Sequence, residues 1–178
     1  MLKTERLILR PFREEDGPQL YEYLSDPQVV RYEPYDVFTE EEAAGEAMWR
    51  AERSDVYLAV CLAQEDERLI GNLTFSSVGC RECYEIGYVL NRSYWHRGYA
   101  EESARALMRH LFTVEGAMRI QAMCDCRNTA SWRLMERLGM QREGLLRRNI
   151  WFKRNDMGEK IWVDSYIYAA LRDEWLAE

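Results

Sequence analysis

The stretch Tyr84–Phe112, YEIGYVLNRSYWHRGYAEESARALMRHLF, decides the fold. It passes from an apolar run (84–90) through a polar loop with one glycine into a helical pattern. From about Tyr99 to Phe112, the residues Ala100, Ala104, Leu107, Met108, Leu111 and Phe112 fall at i, i+4, i+7, i+8, i+11 and i+12, a single helical stripe. A helix start exposes about four unbonded N–H groups and a partial positive charge. Gly98 has no side chain, so a ligand can approach the backbone there, and Arg97 adds a cation beside it. Together these suit a phosphate or pyrophosphate. Neither G-x-x-x-x-G-K-[ST] nor G-x-G-x-x-G after a first strand occurs. Gly98 as a plain turn residue stays open as the simpler reading.

Working outward, RLILRPF (6–12) reads as a strand and EEDGPQLYEYLSD (14–26) as a helix. TEEEAAGEAMWRAERS (39–54) reads as a helix whose Thr39 and Glu42 form a capping box. VYLAVCLA (56–63) and LIGNLTFSSV (69–78) are strand-like runs around a polar QEDER, and YEIGYVL (84–90) is a third. RIQAMCDC (119–126) is a strand. NTASWRLMERLG (128–139) is a short helix, with Asn128 suited to its N-cap and Gly139 to its C′ position. LLRRNIWFKR and KIWVDSYIYAAL are strands flanking an NDMG turn. The order β-α-α-β-β-β-α-β-α-β-β predicts an α/β domain: a mixed, mainly antiparallel sheet with one parallel pair inside.

Composition narrows the function. The 178 residues fit one domain, are 47% hydrophobic, and include 6 Trp and 11 Tyr, enough for a core without disulfides. A net charge of −7 opposes nonspecific binding to nucleic acid or an anionic membrane, so neither is an expected partner. No apolar run approaches the ~20 residues of a membrane span, and the first residues do not read as a signal peptide. Five cysteines, an odd number, point to reduced thiols and a cytoplasmic setting. The spacings Cys80/Cys83 and Cys124/Cys126 fit a zinc site poorly, and no metal is expected.

Asn128 and Ser131 lie at a second strand-to-helix junction, where capping is the ordinary job of such residues. Both junctions follow strands flanking one crossover. If those strands are neighbours, the two helix starts open at the same sheet edge, where ligands tend to lie. The segments 84–112 and 119–144, with LKTERLILRPFREEDGPQLYEYLSDPQVVRY at the front and GEKIWVDSYIYAAL at the back, resemble the GNAT acetyltransferases over nearly the whole chain. Within them, the resemblance is to the RimJ/RimL-like branch, which acetylates N-terminal amines of ribosomal proteins.

That resemblance implies a single GNAT domain over 1–178, with about seven strands, about four helices and splayed central parallel strands. It implies acetyl-CoA as co-substrate and an amine acceptor as the second partner, with a homodimer left open. The family's pyrophosphate loop reads Q/R-x-x-G-x-G/A. Here Trp95 departs at the first place, His96 stands where glycine is common, Arg97 keeps the basic residue, and Gly98, Tyr99 and Ala100 complete the loop. Val89 and Leu90 should hydrogen-bond the pantetheine arm, a Leu90 amide polarising the thioester carbonyl. Asn128 matches a pantetheine contact and Ser131 a serine near the leaving thiol. The tyrosine that many relatives carry seven residues after the Asn is replaced by Met135.

The chemistry requires a neutral amine to attack the thioester carbon, amides to hold the oxyanion, and a base for the amine proton. A thiol leaving group with pKa near ~8.5 needs little acid help. At the place where the branch can carry a glutamate stands Ile150, so Glu85 becomes the candidate base, with water or His96 as other options. The acceptor pocket implied by the resemblance uses Tyr32, Glu33, Tyr35 and Asp36, aromatic walls with negative charge suited to a cationic amine. The acceptor expected is a protein N-terminus or a small amine such as a polyamine or aminoglycoside. A CoA-binding domain without catalysis is the competing class.

Overall fold

The computed structural model describes residues 1–177. Eight strands form one sheet: β1 (Leu2–Lys3), β2 (Leu7–Arg10), β3 (Tyr57–Leu62), β4 (Leu69–Val78), β5 (Cys80–Leu90), β6 (Arg119–Asp125), β7 (Gln141–Arg154) and β8 (Lys160–Leu171). Five helices accompany them: α1 (Gly17–Leu24), α2 (Glu40–Ala51), α3 (Tyr99–Thr113), α4 (Thr129–Arg137) and α5 (Arg172–Trp175). The expected order holds, with β1 and α5 added at the ends. The first helix is shorter than the pattern predicts. Glu14–Asp16 forms a 3-10 turn, and Pro18, which fits only a first turn, fixes where the α-helix begins.

The strand order is β1-β2-β3-β4-β5-β6-β8-β7, antiparallel except for β5 beside β6. Strand alternation divides the core in two. Leu58, Val60, Ile70, Ile86, Ile120 and Tyr168 face α3, α4 and α5. Ile8, Ala59, Cys61 and Leu69 face α1 and α2. The α3 stripe read from the sequence is the buried one: Ala104, Leu107, Met108, Leu111 and Phe112 are fully enclosed. The α2 capping box forms as expected. Thr39 Oγ1 accepts from the Glu42 N–H at 3.2 Å, and Glu42 Oε2 accepts from the Thr39 N–H at 2.8 Å.

One expectation fails. Cys80 and Cys83 are joined to each other by a disulfide at the β4–β5 hairpin, their Cα atoms 5.3 Å apart, while Cys61, Cys124 and Cys126 are free. The hairpin brings together two residues that a count of cysteines treated as unpaired thiols. No helix of the described residues is long and apolar enough to cross a membrane.

Candidate active site

The parallel pairing of β5 and β6 covers only Cys83–Glu85 against Arg119–Gln121. Beyond it the strands part, β5 staying with β4 and β6 with β8. A cleft of about 990 Å³ opens there, lined by β5, β6, the 91–98 loop, the starts of α3 and α4, α2, and the 28–38 segment. The Asn91 N–H bonds Ile70 O at 2.8 Å. By antiparallel alternation, the backbone groups of Leu90 and Tyr88 therefore turn away from β4 toward the gap, and those of Val89 turn to β4. Gly71 makes this strand end tight: a Cβ there would sit 2.4 Å from Val89 O and 2.9 Å from Leu90 Cα.

The loop is built to present amides. Asn91 opens a 3-10 turn, its side chain accepting from the Ser93 N–H at 3.0 Å. Trp95 Nε1 donates to Leu90 O at 2.8 Å, which ties the loop to the strand end and uses that carbonyl. His96 holds φ +60°, a backbone region that glycine enters without strain, which is the physical sense of a glycine at this place. Gly98, at φ +81°, is the N-cap of α3. The first helical bond runs from the Glu102 N–H to Gly98 O at 3.0 Å, so the amides of Tyr99, Ala100 and Glu101 stay outside the helix ladder. Arg6 braces the arrangement: its Nη1 donates to Arg97 O at 3.0 Å, and its Nη2 pairs with Glu102 at 2.6 Å. Arg97 lies over the Tyr94 ring at 5.5 Å.

Asn128 caps α4, its Oδ1 accepting from the Ser131 N–H at 3.2 Å. Ser131 Oγ lies 2.9 Å from Tyr88 Oη. Cys124 shares this corner, its thiol pushed up to about 11 by burial and lowered somewhat by a hydrogen bond with Ser131. The Tyr88 phenol is also raised, chiefly by burial.

At the other end stand Tyr32, Glu33 and Tyr35, all lining the cleft. Tyr32 Oη donates to Arg127 O at 3.4 Å, and Tyr35 packs edge-on against Phe38 at 5.3 Å. Burial pushes the Glu33 carboxyl up to about 7, against the opposing pull of Arg50, a hydrogen bond with Tyr35, and Lys153. Burial likewise raises the Tyr35 phenol. The other cleft carboxylates are paired: Asp125 with Arg127 at 2.6 Å, Glu101 with Arg137 at 3.0 Å, and Glu46 with Arg50 at 2.7 Å.

Residues 6–141 match the Acetyltransferase (GNAT) domain family. The chain belongs to the GNAT acetyltransferases. It is 38% identical over 174 residues to the uncharacterized N-acetyltransferase YnaD of Bacillus subtilis, covering 98% of each chain. A GNAT-family acetyltransferase structure from Bacillus anthracis superposes with a TM-score of 0.89 at 36% identity, covering 97% of this chain and 99% of that one. The [ribosomal protein uS5]-alanine N-acetyltransferase of Escherichia coli is more distant, at 22% identity over 98% of this chain and 92% of that protein. The RimJ/RimL-like resemblance is thus a remote one.

In this GNAT acetyltransferase, the structure gathers Val89, Leu90, Trp95, His96, Gly98, Tyr99, Ala100, Asn128 and Ser131 around one cleft, though the Val89 backbone faces β4 and so is not turned to a pantetheine arm as expected. Arg97 of the same loop does not line the cleft, its guanidinium lying over Tyr94 instead, and neither does Glu85. It lies before the strands part, its Oε2 accepts from Gln121 Nε2 at 2.8 Å, and its side chain does not line the cleft. The reason is position along the strand: Glu85 and Gln121 are the last register partners of the parallel ladder, whereas Gly87 and Val89 on the same face of β5, and Met123 and Asp125 on that of β6, lie past it and line the cleft. Asp36 likewise points out, its side chain 90% exposed and 3.7 Å from Lys153. Ile150 lines the cleft as an apolar wall. Sequence reasoning missed Tyr88 and Arg50. Arg50 left a trace: Ala43, Ala47 and Arg50 fall at i, i+4 and i+7, so a cation occupies the next place in an apolar stripe.

Proposed function

We propose that this acetyltransferase moves an acetyl group from acetyl-CoA, the donor of its family, to a primary amine by direct attack in a ternary complex. The observation that carries the reading is the gap between β5 and β6, with free amides of the α3 N-terminus at one end and Glu33 at the other. The amides of Tyr99, Ala100 and Glu101, with Arg97 beside them, would hold the pyrophosphate. Leu90 N–H, turned to the gap, would bond the pantetheine arm and polarise the thioester carbonyl. Trp95 serves by fixing Leu90, and His96 by shaping the loop.

Glu33 replaces Glu85 as the base. A carboxyl held near 7 takes a proton readily at neutral pH. The amine nitrogen bonds to the acetyl carbon, its proton passes to Glu33, and the C–S electron pair leaves on the CoA sulfur. Ser131 would hydrogen-bond that sulfur. Calorimetric titration with acetyl-CoA, followed by thiol release across an amine panel, tests this. Saturable binding and amine-dependent thiol release are expected. Binding with no release for any amine would favour a sensing domain instead.

A further inference from the structure

Arg50 forms the floor of the acceptor end, with a side chain only 2% exposed. Its guanidinium lies 4.9 Å from the Tyr57 ring centre and 5.3 Å from that of Phe12. Nε donates to Glu46 Oε1 at 2.7 Å. Nη1 is buried with no hydrogen-bond acceptor among the described residues. The phenols of Tyr23 and Tyr35 lie close enough to interact with the guanidinium, and burial keeps both neutral, but neither oxygen meets Nη1 in hydrogen-bond geometry. A buried charged donor left unmet is costly, and at the floor of a substrate cleft it marks the place of a ligand acceptor group.

The charges around it define that group. Glu33 is the one cleft carboxylate without an ion-pair partner among the described residues, so this end is not the acidic bowl expected for a polycation. A polyamine reaching the floor would set an ammonium against Arg50. A molecule with an amine at one end and an anion at the other matches both groups. Phe12 and Tyr57 close around the guanidinium, so the group that reaches it must be terminal rather than part of a continuing chain. Tyr35, Phe38, Trp49 and Tyr57 supply apolar walls beside it.

We propose that the acceptor is a small amino carboxylate with an apolar or aromatic body, its carboxylate received by Arg50 Nη1 and its amine presented to Glu33. The inference rests on the acetyl-transfer reading above, and names the class of molecule that enters that site. The amine nitrogen forms the new bond to the acetyl carbon as the C–S bond breaks, and the carboxylate is unchanged.

The test uses the wild-type protein with acetyl-CoA and matched acceptors: L-phenylalanine, L-phenylalaninamide, 2-phenylethylamine, the dipeptide Phe-Gly and spermidine. Thiol release should favour L-phenylalanine over 2-phenylethylamine by about 10- to 100-fold in kcat/KM, the size of a hydrogen bond to a charged group. Equal use of the two, or preference for spermidine or Phe-Gly, overturns the proposal while leaving acetyl transfer intact. Where no acceptor releases thiol, calorimetry on the CoA complex decides: L-phenylalanine binding that 2-phenylethylamine does not share supports the carboxylate site, and its absence overturns it. Failure to bind acetyl-CoA is a separate result that removes the acetyl-transfer reading. Arg50→Lys should lose most of the preference with CoA affinity unchanged. An undiminished preference in that variant also overturns the proposal.

Discussion

Tyr88 Oη lies 2.9 Å from Ser131 Oγ and 3.1 Å from the Ser131 carbonyl, joining β5 to the first turn of α4 across the cleft. The phenol has one proton. When it goes to Oγ, the serine proton is free to turn toward a departing sulfur. When it goes to the carbonyl, the serine must donate back to the phenol. Only the first arrangement leaves Ser131 as a hydrogen-bond donor to the leaving group, with Tyr88 orienting it, and that is the arrangement the proposed reaction requires. Ser131→Ala should lower kcat by about 10- to 100-fold with the acetyl-CoA KM nearly unchanged, and Tyr88→Phe by only about 2- to 10-fold. Steady-state kinetics on both variants checks this, and equal losses would contradict the positioning role.

The rate should carry an acid limb with Glu33 as the proposed base. With its carboxyl near 7, the base form accumulates above that pH, so the rate should rise through about 7. Arg50, Tyr35 and Lys153 are the groups acting on it. Glu33→Gln should remove that limb and lower kcat by about 10²–10⁴-fold. The linkage has the opposite sign for stability. A carboxyl raised on folding binds its proton more tightly in the native state, so its contribution falls as pH rises from the ordinary carboxylate range through about 7. Denaturant unfolding should show Glu33→Gln gaining on wild type at pH 8 relative to pH 5.

Gly71→Ala would place a methyl 2.4 Å from Val89 O. Backbone must move, at a cost of about 1–3 kcal/mol for overpacking, and the strand end carrying Leu90 moves with it. A lower Tm together with weaker acetyl-CoA binding is the expected pair of results. A lower Tm with unchanged binding would separate Leu90 from the donor site.

Gly98→Ala acts on the loop itself. A φ of +81° disfavours a side chain by about 1–2 kcal/mol, and its Cβ would sit 3.3 Å from Arg6 Nη2, the group paired with Glu102. Calorimetry should show a several-fold loss of acetyl-CoA affinity. Unchanged affinity would return Gly98 to a turn residue and nothing more.

Much of this was written locally. The α3 stripe, the Thr39–Glu42 box and the Asn128 cap each depend on residues a few positions apart, and each formed as the pattern implied. β1 and α5 were not legible because two and four residues are too few to show a period. The site was half legible. The loop and α4 residues lie at helix starts, which a sequence marks with Gly and Asn. Glu85 was misplaced because its surroundings depend on where the β5–β6 ladder stops, which leaves it bonded to Gln121 instead of facing the gap.

The sequence by itself determined the element order, the caps, the stripe that buries α3 and the family, since period and turn chemistry act over one or two turns of chain. Only the tertiary structure decided which side chains meet. Tyr88 and Ser131 are 43 residues apart in sequence and touch because the sheet parts between them. Arg50 is a surface-type residue made buried and partly unmet by Phe12 and Tyr57, and Glu33 is an ordinary carboxylate whose pKa desolvation raises to about 7. Burial and charge pairing depend on neighbours that no local pattern encodes.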